Sequence, residues 1–154
     1  MIVEPARPED AAEVSRLLRD YLTVTEQEKA ERGLAPEGPL PQRYQDEIDH
    51  PETLLADTLL ARADGVVLGM VTLKTEAGPV EIKRLWVDPQ ARGTGAGRAL
   101  ASAAIDRAGG LPVTLTVWEW RAAPIALYRS LGFAENESWD DRDHLLCMTF
   151  QSSK

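Results

Sequence analysis

Between Leu85 and Arg98 the sequence runs Leu85-Trp86-Val87-Asp88-Pro89-Gln90-Ala91-Arg92-Gly93-Thr94-Gly95-Ala96-Gly97-Arg98. A strand-like run stops at a proline turn, and three alternate glycines then open a helix. Glycines in that place permit positive φ and remove Cβ atoms, so several backbone N–H groups can converge on one anion. The start of the helix adds its partial positive charge. A pyrophosphate is the natural guest; the plainer reading is a glycine-rich connection that serves tight packing alone. Two other phosphate loops do not fit. A dinucleotide fingerprint begun at Gly93 needs glycine where Arg98 stands, and a P-loop needs a lysine after the glycines.

The rest of the chain sets this segment in an α/β context. Ile2-Val3 opens a short strand, and Pro8-Glu9-Asp10 is a favourable helix start. Val14, Leu17, Leu18 and Tyr21 follow helical spacing, and a second, polar helix is expected over about 25–32. Gly33, Pro36, Gly38, Pro39 and Pro41 mark a loop, with one more short helix over 44–48. Strands are expected over 53–62 and 66–75, joined by the hairpin signal Asp64-Gly65, and over 80–87 after Gly78-Pro79. A helix over 95–107, a strand over 113–118, a helix over 122–131 and strands near 133–137 and 145–150 complete the order. Such an order implies an α/β domain built on a mixed sheet.

Composition bounds the function class. The 154 residues suit one compact domain, expected to span 1–154, and carry a net charge of −8. Without clustered Lys and Arg, a nucleic-acid partner is not expected. The acidity fits solubility, and favours drawing in a cationic acceptor. Cys147 is the single cysteine and His50 and His144 the two histidines, so neither a disulfide within the chain nor a metal site is expected. The start of the chain lacks a long apolar stretch, and no run approaches membrane-spanning length, so a cytoplasmic location without a membrane partner is expected.

The glycine segment resembles the GNAT superfamily of N-acetyltransferases. Arg92-Gly93-Thr94-Gly95-Ala96-Gly97 satisfies the signature [Q/R]-x-x-G-x-[G/A], and Val87-Asp88-Pro89 and Gly97-Arg98-Ala99-Leu100 also look like the family. Further on, Leu127-Tyr128-Arg129-Ser130-Leu131-Gly132-Phe133 resembles its L-Y-x-x-x-G-F segment. The resemblance implies the acyl-CoA N-acyltransferase fold: a mixed, mostly antiparallel sheet flanked by helices. It implies acetyl-CoA as co-substrate and a primary amine, of a small molecule or a peptide, as acceptor. Homodimers are common in the family. By the same resemblance, the strand ending at Val87 and the strand over 113–118 splay apart. The pantetheine arm pairs with the backbone of Leu85 and Val87 beside Trp86, and the turn from Arg92 through Gly93, Thr94, Gly95, Ala96 and Gly97 to Arg98 holds the pyrophosphate. One departure is Arg121, which stands where many members carry an asparagine that contacts the cofactor; Pro124 replaces a common alanine.

Acetyl transfer from a thioester to an amine needs a neutral amine, a stabilised oxyanion and a proton for the thiolate. Glu81 is the candidate base, at the place where the histone-acetylating branch of the family carries a glutamate. Its plainer reading is a strand glutamate paired with Lys83 or Arg84. Glu119 is the second candidate, and proton loss through water the third; Thr116 stands where another branch has its glutamate. The Val87 N–H is the expected oxyanion donor and Tyr128 the candidate acid, or else a packed ring. Cys147 is expected in the core, and Trp86, Trp118, Trp120 and Trp139 in the core or cleft wall. The segment 25–49 is expected to contribute to the acceptor pocket; its carboxylates would favour an ammonium group there, or else lie on a solvated face. The reading from another class is a non-catalytic acyl-CoA-binding sensor or partner module; Glu81 and Tyr128 favour an enzyme.

Overall fold

Asp64 and Gly65 both take positive φ, 51° and 77°, and so close the two-residue hairpin between β2 (Thr58–Ala63) and β3 (Val66–Lys74). The computed structural model describes residues 1–75 and 78–152. With β1 (Ile2–Pro5), β4 (Val80–Val87), β5 (Val113–Trp118), β6 (Ala134–Asn136) and β7 (Leu145–Phe150), these strands form a seven-stranded sheet. Its order is β1-β2-β3-β4-β5-β7-β6. Among the described residues only β4 and β5 pair in parallel, so the sheet is mixed and mostly antiparallel.

Helices cover both faces. On one, α1 (Ala11–Glu31) and α2 (Gln42–Asp49) bury Val14, Leu17, Leu18, Leu22 and Ile48 against Leu60, Met70 and Trp86. On the other, α3 (Ala96–Ala108) and α4 (Ala122–Ser130) pack Leu100, Ala104, Ile125 and Tyr128 against Val71, Val113 and Leu115. Alternation along the strands feeds both cores: Leu59 and Ala61 face α3, while Leu60 between them faces α1.

Two expected boundaries shift. The amphipathic helix expected through Val14, Leu17, Leu18 and Tyr21 and the polar helix expected over 25–32 are one continuous helix, because the buried stripe of Val14, Leu17, Leu18 and Leu22 runs on to Thr25. The Thr25 hydroxyl donates to the Tyr21 carbonyl (2.9 Å), which satisfies it inside the helix. The strand expected from residue 53 begins only at Thr58. Pro51 starts a pair of 3-10 turns instead, and Thr58 donates back to the Leu54 carbonyl at 2.8 Å. Pro124 falls in the first turn of α4, where a missing N–H costs no helical bond.

The feature that shapes the site is a bulge in β4. Thr72 pairs with Arg84 and Leu73 with Ile82, so Lys83 is the extra residue. Strand parity flips there. Val80 and Ile82 belong to the α3 core, whereas Trp86, an even number of residues further on, belongs to the α1 core. Gly69 then lets β3 press close: a Cβ on it would sit 2.6 Å from the Trp86 carbonyl oxygen.

Candidate active site

β4 and β5 pair only at Val80–Val113, Glu81–Thr114 and Ile82–Leu115, and beyond these residues they separate. The far half of β4 therefore has one edge on β3 and one edge unpaired. The Asp88 N–H donates to the Leu68 carbonyl on β3 at 2.8 Å. By alternation Trp86 also turns its backbone to β3, and Leu85 and Val87 present theirs to the open edge.

The glycine turn closes one end of that opening. Gly93 and Gly95 have φ of 84° and 90°, a region that disfavours side chains. Gly95 caps α3, whose first intrahelical bond runs from the Ala99 N–H to the Gly95 carbonyl (3.0 Å). The N–H groups of Ala96, Gly97 and Arg98 precede that bond and have no helical acceptor. Gly97 cannot take a side chain without pressing Leu127, whose Cδ2 lies 3.2 Å from the place of its Cβ. Asp88 fixes the turn before these glycines. It accepts the Gln90 N–H (3.0 Å) and an Arg16 guanidinium bond from α1 (3.0 Å). The Gln90 bond, aided by Arg16 and opposed by desolvation, holds its carboxyl below the usual range.

Two cavities meet here. The first, about 420 Å³, is lined by Leu85, Trp86 and Val87, by the turn from Arg92 to Arg98 except Thr94, and by Leu127 and Tyr128 of α4. Thr94 instead folds its hydroxyl onto the Ala91 carbonyl at 2.6 Å. A cradle of unpaired N–H groups at a helix start, with Arg92 and Arg98 beside it, fits a pyrophosphate. The second cavity, about 260 Å³, lies between α1, β4 and β5 and includes Tyr21, Glu81, Arg84, Thr116 and Trp118 in its wall. Leu85, Arg121, Pro124 and Tyr128 line both.

Tyr128 stands at this junction, 6% exposed, with its ring edge-on to Phe133 at 5.6 Å. Burial pushes its phenol above the ordinary range, Tyr21 adds to the shift and Arg121 opposes it, so the hydroxyl stays protonated. Glu81 lies in the wall of the second cavity. Its strand neighbours do not pair with it: Lys83 and Arg84 both turn to Glu47 of α2, at 3.7 and 2.7 Å. Glu119 is exposed, bonds His144 at 2.7 Å, and lines neither cavity.

Several further residues were not evident from sequence. Arg121 donates to both oxygens of Glu28 (2.9 and 3.0 Å), and the Trp120 indole donates to the same carboxylate at 2.9 Å. Glu26 pairs with Lys29 at 2.8 Å, both largely buried. Burial works to raise the Glu47 pKa, but the paired bonds from Arg84 outweigh it and hold the carboxyl below the usual range. The face of 25–49 expected to be solvated is thus partly committed to ion pairs, a difference made by long-range contacts that no local pattern shows. Cys147 is buried at 1%. Trp118 and Trp120 stack on one another at 5.1 Å, but Trp139 is 53% exposed, neither core nor cleft wall.

The sequence model of the Acetyltransferase (GNAT) family matches residues 13–133. A curated relative, the "IAA acetyltransferase" of Azospirillum brasilense, is 43% identical over 82 residues, 50% of this chain and 54% of the relative. The match thus spans about half the length of that relative. In fold the chain resembles an N-acetyltransferase of Staphylococcus aureus Mu50 (TM-score 0.75, 15% identity, 97% of this chain and 99% of that one). It also resembles the PaiA N-acetyltransferase of Thermoplasma acidophilum solved in complex with coenzyme A (TM-score 0.67, 21% identity, 98% of each chain). Among the described residues, no helix is long and apolar enough to cross a membrane.

Proposed function

The chain belongs to the GNAT acetyltransferase family, whose co-substrate is acetyl-CoA, and from that premise we propose that residues 1–154 act as one acetyltransferase domain that moves the acetyl group to a primary amine of a small molecule or peptide. The observation that carries this reading is the junction of the two cavities at Leu85, Arg121, Pro124 and Tyr128. A thioester held along the open edge of β4 meets an amine lying beside Glu81 there.

The chemistry follows from the groups present. Glu81 takes a proton from the ammonium, directly or through one water, and frees the nitrogen lone pair. The nitrogen attacks the thioester carbonyl, forming the C–N bond, while the Val87 N–H on the unpaired edge donates to the developing oxyanion. The C–S bond then breaks, and Tyr128 gives its proton to the departing sulfur. The nitrogen, which still carries an extra proton after attack, passes it through solvent to the Tyr128 phenolate. The neutral amide and the free thiol leave, and Glu81 gives its proton to bulk solvent, the one net proton the reaction releases. No covalent bond to the protein forms, consistent with the buried Cys147. Positioning of the two reactants supplies much of the acceleration.

A screen of amines with acetyl-CoA, following release of free CoA thiol, tests the reading. Acceptor-dependent release is expected. Tight acetyl-CoA binding with no release for any small amine or lysine peptide would instead support a binding module.

A further inference from the structure

The wall of the acceptor cavity carries more cations than carboxylates. Lys29, Lys83, Arg84, Arg121 and Arg142 reach it, against Glu26 and Glu81. Most of the carboxylates that pair with these cations lie behind the wall. Glu47 holds Arg84, Glu28 holds Arg121 and Asp140 holds Arg142, and none of the three lines the cavity. A guanidinium has five N–H donors, and the Glu47 pair uses two from Arg84, as the Asp140 pair does from Arg142. Spare donors therefore remain on Arg84 and Arg142, and Lys29, paired at 2.8 Å with Glu26 of the same wall, keeps two of its three. Lys29 of α1 and Arg142, between β6 and β7, both approach the Trp118 ring, at 5.6 and 5.9 Å from its centroid.

Glu81 has the opposite character. It lines the same cavity and, among the described residues, pairs with no cation. One wall thus offers an unneutralised carboxylate and another offers cationic donors. At about 260 Å³ the space suits a small molecule rather than a folded peptide segment.

We propose that the acceptor is a small zwitterion, an amine that carries its own carboxylate. Its ammonium faces Glu81 and its carboxylate binds the side of the cavity formed by Lys29 and Arg142, with Arg84 beneath. This rests on the acetyl-transfer reading above and narrows it. Charge-assisted bonds to a carboxylate are about twice as strong as neutral ones, so the anionic group adds affinity that an ester or a bare amine lacks. Lys29 and Arg142 are positioned to set specificity and take no part in bond making.

The test compares free L-amino acids with their methyl esters, with amines of the same skeleton lacking the carboxylate, and with phosphoethanolamine. CoA release is followed in the wild type and in Lys29→Gln and Arg142→Gln, the second at a side chain 56% exposed where folding is safe. Free acids are expected to exceed esters and bare amines in kcat/KM by at least about tenfold. Either variant raises KM for the acids by about tenfold, leaves kcat in place and leaves the esters unchanged. Equal use of esters and acids, preference for phosphoethanolamine, or variants that move acids and esters alike overturn the proposal. If no amine is turned over, calorimetry with free L-amino acids and their methyl esters, in the presence of CoA, decides separately. Preference for the free acid that Arg142→Gln abolishes upholds the zwitterion site while the catalytic reading falls. Equal or absent binding overturns the site itself.

Discussion

The two cavities that meet at Tyr128 are built on different principles. The cavity proposed for the cofactor is largely backbone: the open edge at Leu85 and Val87, and the N–H groups of Ala96, Gly97 and Arg98 exposed by glycines that accept φ of 84° and 90°. The acceptor cavity is largely side chain, contributed by α1, β4, β5, α4 and Arg142. Backbone recognition of a pyrophosphate depends on conformation and tolerates many side chains around it. Side-chain recognition of an acceptor depends on which charges face inward and which are neutralised from behind. One fold can therefore keep a single co-substrate while its acceptors change, because the part of the second wall away from the shared Leu85, Arg121, Pro124 and Tyr128 can be rewritten without disturbing the first.

The largest effect that would break this division is expected from Glu81→Gln. The change keeps the shape of the acceptor wall and removes the proposed base. Turnover should fall by roughly 10²-fold, within the usual range for general-base loss, with acetyl-CoA affinity unchanged. The acidic limb of the pH–rate profile should flatten as well. Near-normal turnover with the limb intact would move proton removal to solvent.

Tyr128→Phe probes the shared boundary. The ring and its contact with Phe133 persist, and only the hydroxyl is lost. A thiolate is a tolerable leaving group, since a free thiol has a pKa of about 8.5. Single-turnover acetyl transfer at saturating acetyl-CoA should slow by about 10- to 100-fold. An unaltered rate would leave Tyr128 as a packing residue.

Gly95→Asp addresses the cofactor side. A Cβ there meets nothing within 4 Å, so the substitution is not a clash; it places a negative charge and a strained φ beside the turn. Calorimetry should show acetyl-CoA affinity weakened by at least about tenfold, about 1.4 kcal/mol. Unchanged affinity in a folded variant would displace the pyrophosphate from this turn.

The smallest effect concerns what holds the acceptor wall in place. Bonds from Arg84 hold the Glu47 carboxyl below its usual range against the opposing effect of burial. A bond from Arg62 does the same for Asp10, helped by the Arg7 N–H. The folded state then binds fewer protons than the unfolded state in the acid region. The stability these carboxylates add is complete above the usual carboxylate range and is lost as pH falls from that range through the lowered values of the folded state. Thermal midpoints measured down that range should drop, and Glu47→Gln should make the drop shallower. At neutral pH the same variant should cost on the order of 1 kcal/mol, since the pair is only partly screened. A midpoint in Glu47→Gln that follows pH as the wild type does would remove Glu47 from this account.

The elements legible in the sequence are those fixed by contiguous residues. Asp64-Gly65 dictates its hairpin, Gly93 and Gly95 dictate an N–H-lined turn, and apolar alternation marks the strands, because each depends on backbone preferences a few residues wide. The same locality made 11–31 look like two helices, since the mostly polar run that begins at Thr25 conceals that Thr25 itself is buried.

What only the tertiary structure decided is how distant charges are shared. Simple alternation puts Glu81 and Arg84 on opposite faces of β4; the bulge at Lys83 brings both to the acceptor cavity. Arg84 turns to Glu47 and away from Glu81, Arg121 is held by Glu28, and Asp88 is anchored by Arg16. A salt bridge falls off with distance in space and is indifferent to separation along the chain, so the backbone-built cofactor turn can be read from fourteen consecutive residues while the acceptor wall exists only once the chain has folded.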